Sequence, residues 1–167
     1  FSKELLRPDL YITIKQSRPI KISIIGEIER PGLYSLTNNE VTKLADGESN
    51  QYNGLPTVVD AIQKAGGITQ NANLKKIILS RRIEGGGFQY KETNLDLLSL
   101  ILKGNQNQNL FLFDGDIIEI TKAETMSSNI MKLAKANLSP KTINVFFIGE
   151  VNSPGKKQLT SNTPLIQ

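Results

Sequence analysis

The sequence predicts an α+β fold, in which short strands are mixed with short helices. The first observation is a strand–turn–strand phrase that occurs twice, once in residues 24–36 and once in residues 147–159. The second is a segment in which apolar residues recur at helical spacing, together with several β-branched runs that favour strands. The 167 residues are enough for one medium domain, or for one complete domain with parts of others.

The repeated phrase is an apolar run, then Gly-Glu, then an apolar residue and, two residues later, Pro-Gly. Pro presets φ at about −65° in a turn, and Gly accepts the positive φ that a type II turn needs next. Glu27 and Glu150 hold the same place in the two copies, 123 residues apart, which argues for two copies of one module. The motif residues are Gly26, Pro31 and Gly32 in the first copy, and Gly149, Pro154 and Gly155 in the second.

The composition argues against a hydrolase or a zinc enzyme. The chain has neither His nor Cys, so it lacks the commonest general base, the commonest metal ligand and any thiolate nucleophile. We therefore expect no catalysis, no cofactor and no metal. The net charge of +4 is scattered along the chain, which indicates an ordinary solvated surface with at most a weak preference for anionic partners.

Residues 56–66 predict a helix. Thr57 can cap its first turn with Asp60 three residues on, and four apolar residues fall at i, i+3, i+4 and i+7 from Val58. Gly66 and Gly67 then end it in the left-handed conformation.

The remaining elements follow from similar local patterns. Residues 74–82 and 88–92 predict a hairpin closed by three glycines, and residues 95–103 predict a second helix capped by Thr93 or Asn94. The segment Asp114, Gly115 and Asp116 predicts a tight hairpin turn between apolar runs at 110–113 and 117–120. Residues 10–14 predict a strand, residues 130–134 a short helix, and a further helix is expected to begin near Pro164.

These motifs, taken in order, resemble the SLBB (soluble ligand-binding β-grasp) domain. The resemblance rests on Gly-Glu-Ile-Glu-Arg-Pro-Gly-Leu-Tyr, on Ala-Gly-Gly-Ile-Thr after the first helix, on Leu-Asp-Leu-Leu, and on Asp-Gly-Asp-Ile-Ile. Within that family the chain is similar to outer-membrane polysaccharide export proteins, especially those of cyanobacterial type. The resemblance implies a β-grasp fold, a mixed sheet crossed by a helix.

The resemblance also implies a division of the chain. Residues 1–19 would be the tail of a preceding polysaccharide export domain, and 20–122 a first SLBB domain with a loop insertion at 37–55. Residues 123–141 would be a helical linker, and 142–167 the first hairpin of a second, truncated SLBB domain. The abrupt start at Phe1 and the end at Gln167 predict an excerpt from a longer protein.

The function that the resemblance implies is a periplasmic module of an outer-membrane polysaccharide exporter. Such a module would be part of an oligomeric conduit for capsular or extracellular polysaccharide, without enzymatic activity. Its partners would be further copies of the protein, the polysaccharide and an inner-membrane polysaccharide co-polymerase, but no nucleic acid. The alternatives are a stand-alone carbohydrate- or small-ligand-binding β-grasp module, and an accessory domain of an enzyme.

The candidate ligand- or partner-binding residues are Glu27, Arg30, Tyr34 and Glu150, at the two Pro-Gly hairpins. Glu27 and Glu150 lie in separate modules, so nothing pairs them as a glycosidase would need. Asp114 and Asp116 could hold a cation with Glu119, but an Asp-Gly turn explains them better. The cations of the predicted strand are expected to face water, and an acidic polysaccharide is an alternative partner for them. They are Lys75, Lys76, Arg81 and Arg82.

Overall fold

The computed structural model describes residues 18–37, 41–43, 49–51, 55–83, 85, 89–124 and 128–160. Several sequence predictions lie outside these residues: the strand at 10–14, nearly all of the segment 1–19, most of the glycine turn after residue 85, and the helix expected near Pro164. In chain order the elements are strands β1 (Ile20–Gly26), β2 (Gly32–Leu36), β3 (Val41–Lys43) and β4 (Ser49–Gln51), helix α1 (Val58–Lys64), strands β5 (Ala72–Arg82) and β6 (Tyr90–Leu95), helix α2 (Leu97–Lys103), a 3₁₀ turn (Gln106–Gln108), strand β7 (Ile117–Lys122), helix α3 (Ser128–Leu138), and strands β8 (Thr142–Phe147) and β9 (Gly155–Thr160).

A mixed sheet of five strands, in the order β2-β1-β7-β5-β6, organises the described part of the chain. β1 pairs antiparallel with β2 and parallel with β7, while β5 runs antiparallel to both β6 and β7. Inward-facing residues alternate in β1, where Ile22 and Ile24 are buried and Ile25 is exposed. This sheet confirms the predicted α+β class.

Helix α1 packs on one face of the sheet and closes the core. Its N-terminus carries the predicted capping box, in which Thr57 N–H donates to Asp60 Oδ2 at 2.8 Å and Asp60 N–H donates back to Thr57 Oγ1. Its residues Val58, Ala61 and Ile62 are fully buried in the core. The same amphipathic spacing that predicted the helix therefore supplies its contact with the sheet.

Helix α2 begins later than the sequence indicated. Thr93 and Asn94, the predicted caps, lie within β6, where they pair with Leu79 and Ile78. Asp96 caps the helix instead, by accepting a hydrogen bond of 2.9 Å from Ser99 N–H. Pairing with β5 overrides the local capping preference of the two earlier residues.

The Asp-Gly-Asp segment is a turn but not a hairpin, so that prediction was wrong. Residues 110–113 form no strand beside β7; within the described residues they make one isolated bridge, from Phe111 to Thr57. β7 lies between β1 and β5 instead. β7 thus pairs with two strands that are distant in the sequence and not with residues 110–113, because β1 and β5 are both longer than that four-residue run.

Helix α3 confirms the short helix predicted between the two modules, and it packs against the first of them. Met131, Ala134 and Leu138 are buried and belong to the same core cluster as α1. Near its end, Asn137 accepts a hydrogen bond of 3.0 Å from Gln63 Nε2. The segment 123–141 is thus partly core, while the predicted domain boundaries remain a prediction.

The second hairpin repeats the first in its pairing and its turn. β1 and β2 pair Ile20 with Leu36 through Ile24 with Gly32, and adding 123 to every number gives the β8–β9 pairs from Ile143–Leu159 to Phe147–Gly155. Ile28 N–H donates to Gly26 O at 2.9 Å, and the equivalent Val151 N–H donates to Gly149 O at 3.0 Å. The repeated phrase in the sequence therefore produces a repeated backbone.

Candidate functional site: the Gly-Glu turn and the Asp-Gly-Asp anchor

The Gly-Glu turn after β1 docks onto the Ala-Gly-Gly-Ile-Thr segment that follows α1. Glu27 N–H donates to Ile120 O at 2.8 Å, and Thr69 N–H donates to Glu27 O at 3.2 Å. The Thr69 hydroxyl donates to Glu27 Oε2 at 2.5 Å, so the carboxylate is held at the sheet end. The two motifs that carry the family resemblance are therefore in direct contact.

Arg30 and Tyr34 fasten the same turn to the end of α1. Arg30 N–H donates to Ala65 O at 3.1 Å, and its Nη2 donates to Lys64 O at 3.3 Å. This places a cation where the last carbonyls of the helix concentrate negative potential. The half-buried Tyr34 donates its hydroxyl proton to Arg30 O, which closes the turn from within β2.

Gly26 is required by close approach as well as by conformation. Its φ is +86°, and a Cβ at this position would lie 2.1 Å from Ile120 O, on the neighbouring strand β7. The equivalent Gly149 has a φ of +107°, but a Cβ there would meet nothing within 4 Å. The two glycines thus share a turn conformation, while only the first lies against another strand.

Glu150, the fourth predicted binding residue, lies on the second hairpin and is exposed. Glu27, Arg30 and Tyr34 surround one turn, so the four predicted residues do not form a single cluster. The two motif glycines that follow α1 also have structural roles. Gly67 N–H donates to Ile62 O at 2.9 Å, and a Cβ on Gly66 would lie 3.1 Å from Arg30 Nε.

The Asp-Gly-Asp turn anchors three strands. Asp114 Oδ1 accepts from Lys21 N–H at 2.7 Å, and Gly115 N–H donates to Lys21 O at 2.8 Å. The other carboxylate oxygen of Asp114, Oδ2, pairs with the exposed Arg18 at 3.2 Å. Asp116 O accepts from Ser23 N–H at 2.9 Å. The start of β1 is therefore fixed to the loop that leads into β7.

The Asp116 side chain is fully buried and forms a two-point ion pair with Arg81 of β5. Arg81 donates from Nε to Oδ1 at 2.9 Å and from Nη2 to Oδ2 at 2.8 Å. Phe113 N–H also donates to Oδ2, at 2.8 Å. The hydrogen bond to Asp116 raises the pKa of the Arg81 guanidinium above its ordinary value, against a smaller lowering from desolvation.

Sequence reasoning missed this ion pair, because it predicted that Arg81 faces water. The available signal was the alternation along β5: Leu79 faces the core, so Arg81, two residues on, points to the same side. An arginine at an inward position of a strand requires a carboxylate partner. Asp116 was one candidate among the acidic residues, and the sequence does not single it out.

The candidate cation site does not assemble. Asp116 is paired with Arg81, Asp114 is bonded to β1, and Glu119 is an exposed residue in the middle of β7. Among the described residues, no three acidic side chains converge in a way that could hold a metal ion. No helix within the described ranges has the length and apolar character to cross a membrane.

The mixed sheet, the helices packed against its core and the two contacting motifs agree with a match to a known family. Residues 53–120, which run from the end of the insertion into β7, match the SLBB domain. This match suggests that the segment is a ligand-binding module of a kind that occurs often in polysaccharide export proteins. The matched residues 53–120 form an SLBB domain segment, and the mixed sheet with its helices is consistent with the β-grasp fold of that family.

Proposed function

We propose that this chain is a non-enzymatic periplasmic module of an outer-membrane polysaccharide exporter. In this proposal it forms part of an oligomeric conduit for capsular or extracellular polysaccharide. Its partners are further copies of the same protein, the polysaccharide and an inner-membrane polysaccharide co-polymerase. It is associated with the outer membrane through the full-length protein.

The observation that supports this most is the repeated hairpin. Two hairpins with the same register, the same Gly-turn hydrogen bond and a 123-residue offset lie in series along one chain. Serial modules in each protomer would stack as layers when identical protomers close into a ring. A stacked ring is the architecture that a conduit requires.

The hydrogen bonds that the motif carboxylates make within the fold also favour assembly over catalysis. Glu27 is bonded to Thr69, and Asp116 is bonded to Arg81 and to a backbone N–H. A carboxylate that acts as a general acid or base must instead reach a substrate proton. Folding thus accounts for the carboxylates of these motifs, which leaves the outer surfaces for partners.

The test is deletion of the gene in the bacterium of origin, with complementation by the full-length protein. We expect secreted and cell-surface polysaccharide to fall at least about tenfold, with restoration by the wild-type gene and not by a version lacking residues 20–138. Cell fractionation should recover the protein with the outer membrane. Unchanged secretion in the deletion strain would refute the exporter role.

A further inference from the structure

Two phenylalanine rings protrude from the segment that precedes the Asp-Gly-Asp turn. Phe111 and Phe113 are 55% and 51% exposed, while Leu112 between them is 1% exposed. In an extended segment alternate side chains point to the same side, and they are about 6–7 Å apart along the chain. Leu112 attaches the segment to the core, so this attachment does not need the two half-exposed aromatic side chains.

The backbone beneath these rings is held rigidly. Four hydrogen bonds fix it on three sides: Leu112 N–H to Pro56 O at 2.8 Å, Val58 N–H to Leu110 O at 3.1 Å, Phe113 N–H to Asp116 Oδ2 at 2.8 Å, and Arg81 Nη2 to Phe111 O at 2.9 Å. A binding surface that is ordered before the ligand arrives loses less entropy on binding.

Arg81 adds a fixed polar group beside the rings. Its guanidinium lies 4.2 Å from the centre of the Phe113 ring, and the side chain remains 39% exposed. Asp116 and Phe111 O engage Nε and Nη2, whereas the two N–H groups of Nη1 donate to no group in the described part of the chain. These two donors are therefore available to a ligand.

The local charge favours an anion. Lys91 of β6 is the direct cross-strand partner of Arg81, and it is exposed. Residues directly opposite each other on paired strands share a face, and like charges in this arrangement repel. Asp116 supplies one negative charge for the two cations, so a net charge of about +1 remains next to the aromatic pair.

We propose that Phe111, Phe113, Arg81 and Lys91 form a binding ledge for an acidic polysaccharide. Sugar rings would lie with their apolar C–H faces on the two phenylalanines. A carboxylate of the sugar would accept hydrogen bonds from Arg81 Nη1 and attract Lys91. This inference rests on the proposed function, since it specifies the kind of polymer that the exporter module contacts.

The test uses the 167-residue chain and two hexasaccharides: hexagalacturonate, which is acidic, and cellohexaose, which is neutral. Binding is followed by ¹H–¹⁵N NMR titration. We expect saturable shifts at the amides of residues 111–113 and 91, with hexagalacturonate at least about tenfold tighter than cellohexaose and weakened by added salt. Phe111→Ala and Phe113→Ala should each lower affinity about three- to tenfold, the scale of one lost aromatic contact.

Phe146→Ala is the matched control, because Phe146 is 66% exposed but lies on β8, outside the ledge. It should leave affinity unchanged. Absence of saturation at millimolar hexagalacturonate, equal binding of cellohexaose, or an equal loss in the Phe146 variant would overturn the proposal.

The ledge and the exporter role fail in different ways. If gene deletion abolishes secretion but the titration shows no saturable shift, the exporter role stands and the ledge is wrong. If the titration succeeds and deletion leaves secretion intact, the acidic-polysaccharide ledge stands on its own, and the module serves another sugar-binding role.

Discussion

Replacement of Gly26 by Ala should destabilise the fold far more than replacement of its repeat equivalent, Gly149. Both glycines have positive φ, which costs an alanine about 1–2 kcal/mol. Only at Gly26 would the new Cβ lie 2.1 Å from Ile120 O, so β1 and β7 would have to separate locally. That separation breaks the 2.8 Å bond from Glu27 N–H to Ile120 O, and an unpaired buried group costs about 1–3 kcal/mol.

Alanine also stiffens the unfolded chain, which offsets about 0.4–1 kcal/mol of this loss. The net expectation for Gly26→Ala is a loss of about 2–4 kcal/mol in the free energy of unfolding. With a urea m-value of about 2 kcal/mol/M, the midpoint should fall by roughly 1–2 M. Gly149→Ala strains only the β8–β9 hairpin, so the main transition should keep its midpoint within about 0.3 M.

Urea unfolding followed by far-UV circular dichroism measures both variants, since the chain contains no Trp. Equal shifts for the two variants, or a shift below about 0.5 M for Gly26→Ala, would refute the close-approach argument. The pair is informative because the hairpins share their register and differ in what lies beside the glycine.

Three further predictions concern side chains that hold the module together. Asp116→Asn should cost about 2–4 kcal/mol of unfolding free energy by urea titration, because it removes the charge of the buried Asp116 from its pair with the partly exposed Arg81. Asp114→Asn, at an exposed ion pair, should cost less than about 1.5 kcal/mol, and a reversed order would contradict the assignment of the anchor. Thr57→Ala should lower stability by about 1–2 kcal/mol through loss of the α1 cap, with Thr57→Ser retaining most of it, and equal losses for both would argue against capping. Tyr34→Phe should cost about 0.5–1.5 kcal/mol, because Arg30 O loses a donor, while the matched Tyr90→Phe, at an exposed β6 residue, should be neutral in the same assay.

Elements whose signals are local could be predicted from the sequence. The spacing of apolar residues and the Thr57–Asp60 pair are enough to place α1, and the β-branched run before Glu27 places β1. The repeated Pro-Gly phrase predicts the second hairpin, and the structure confirms it with the same register. In each case a few neighbouring residues contain both the preference and its termination signal.

Contacts between distant segments could not be predicted in this way. The Asp-Gly-Asp turn has the local pattern of a hairpin, but β7 pairs with β1 and β5, which are far away in the sequence. The Arg81–Asp116 pair joins residues 35 positions apart, so the inward position of Arg81 on β5 indicates that it needs a carboxylate but does not identify which one. The same holds for Glu27 and Thr69, although both belong to motifs that were recognised separately.

The burial of α3 determines where the first module can be cut for study. Met131, Ala134 and Leu138 cover apolar side chains of the core, and Ser139 approaches Gly67 closely enough to leave little space for a Cβ. A truncated chain that stops at the end of β7 would expose this apolar surface to solvent, and such a surface promotes aggregation. A chain that ends after Ser139 would keep this surface covered, so the smallest piece suited to biochemical work includes helix α3.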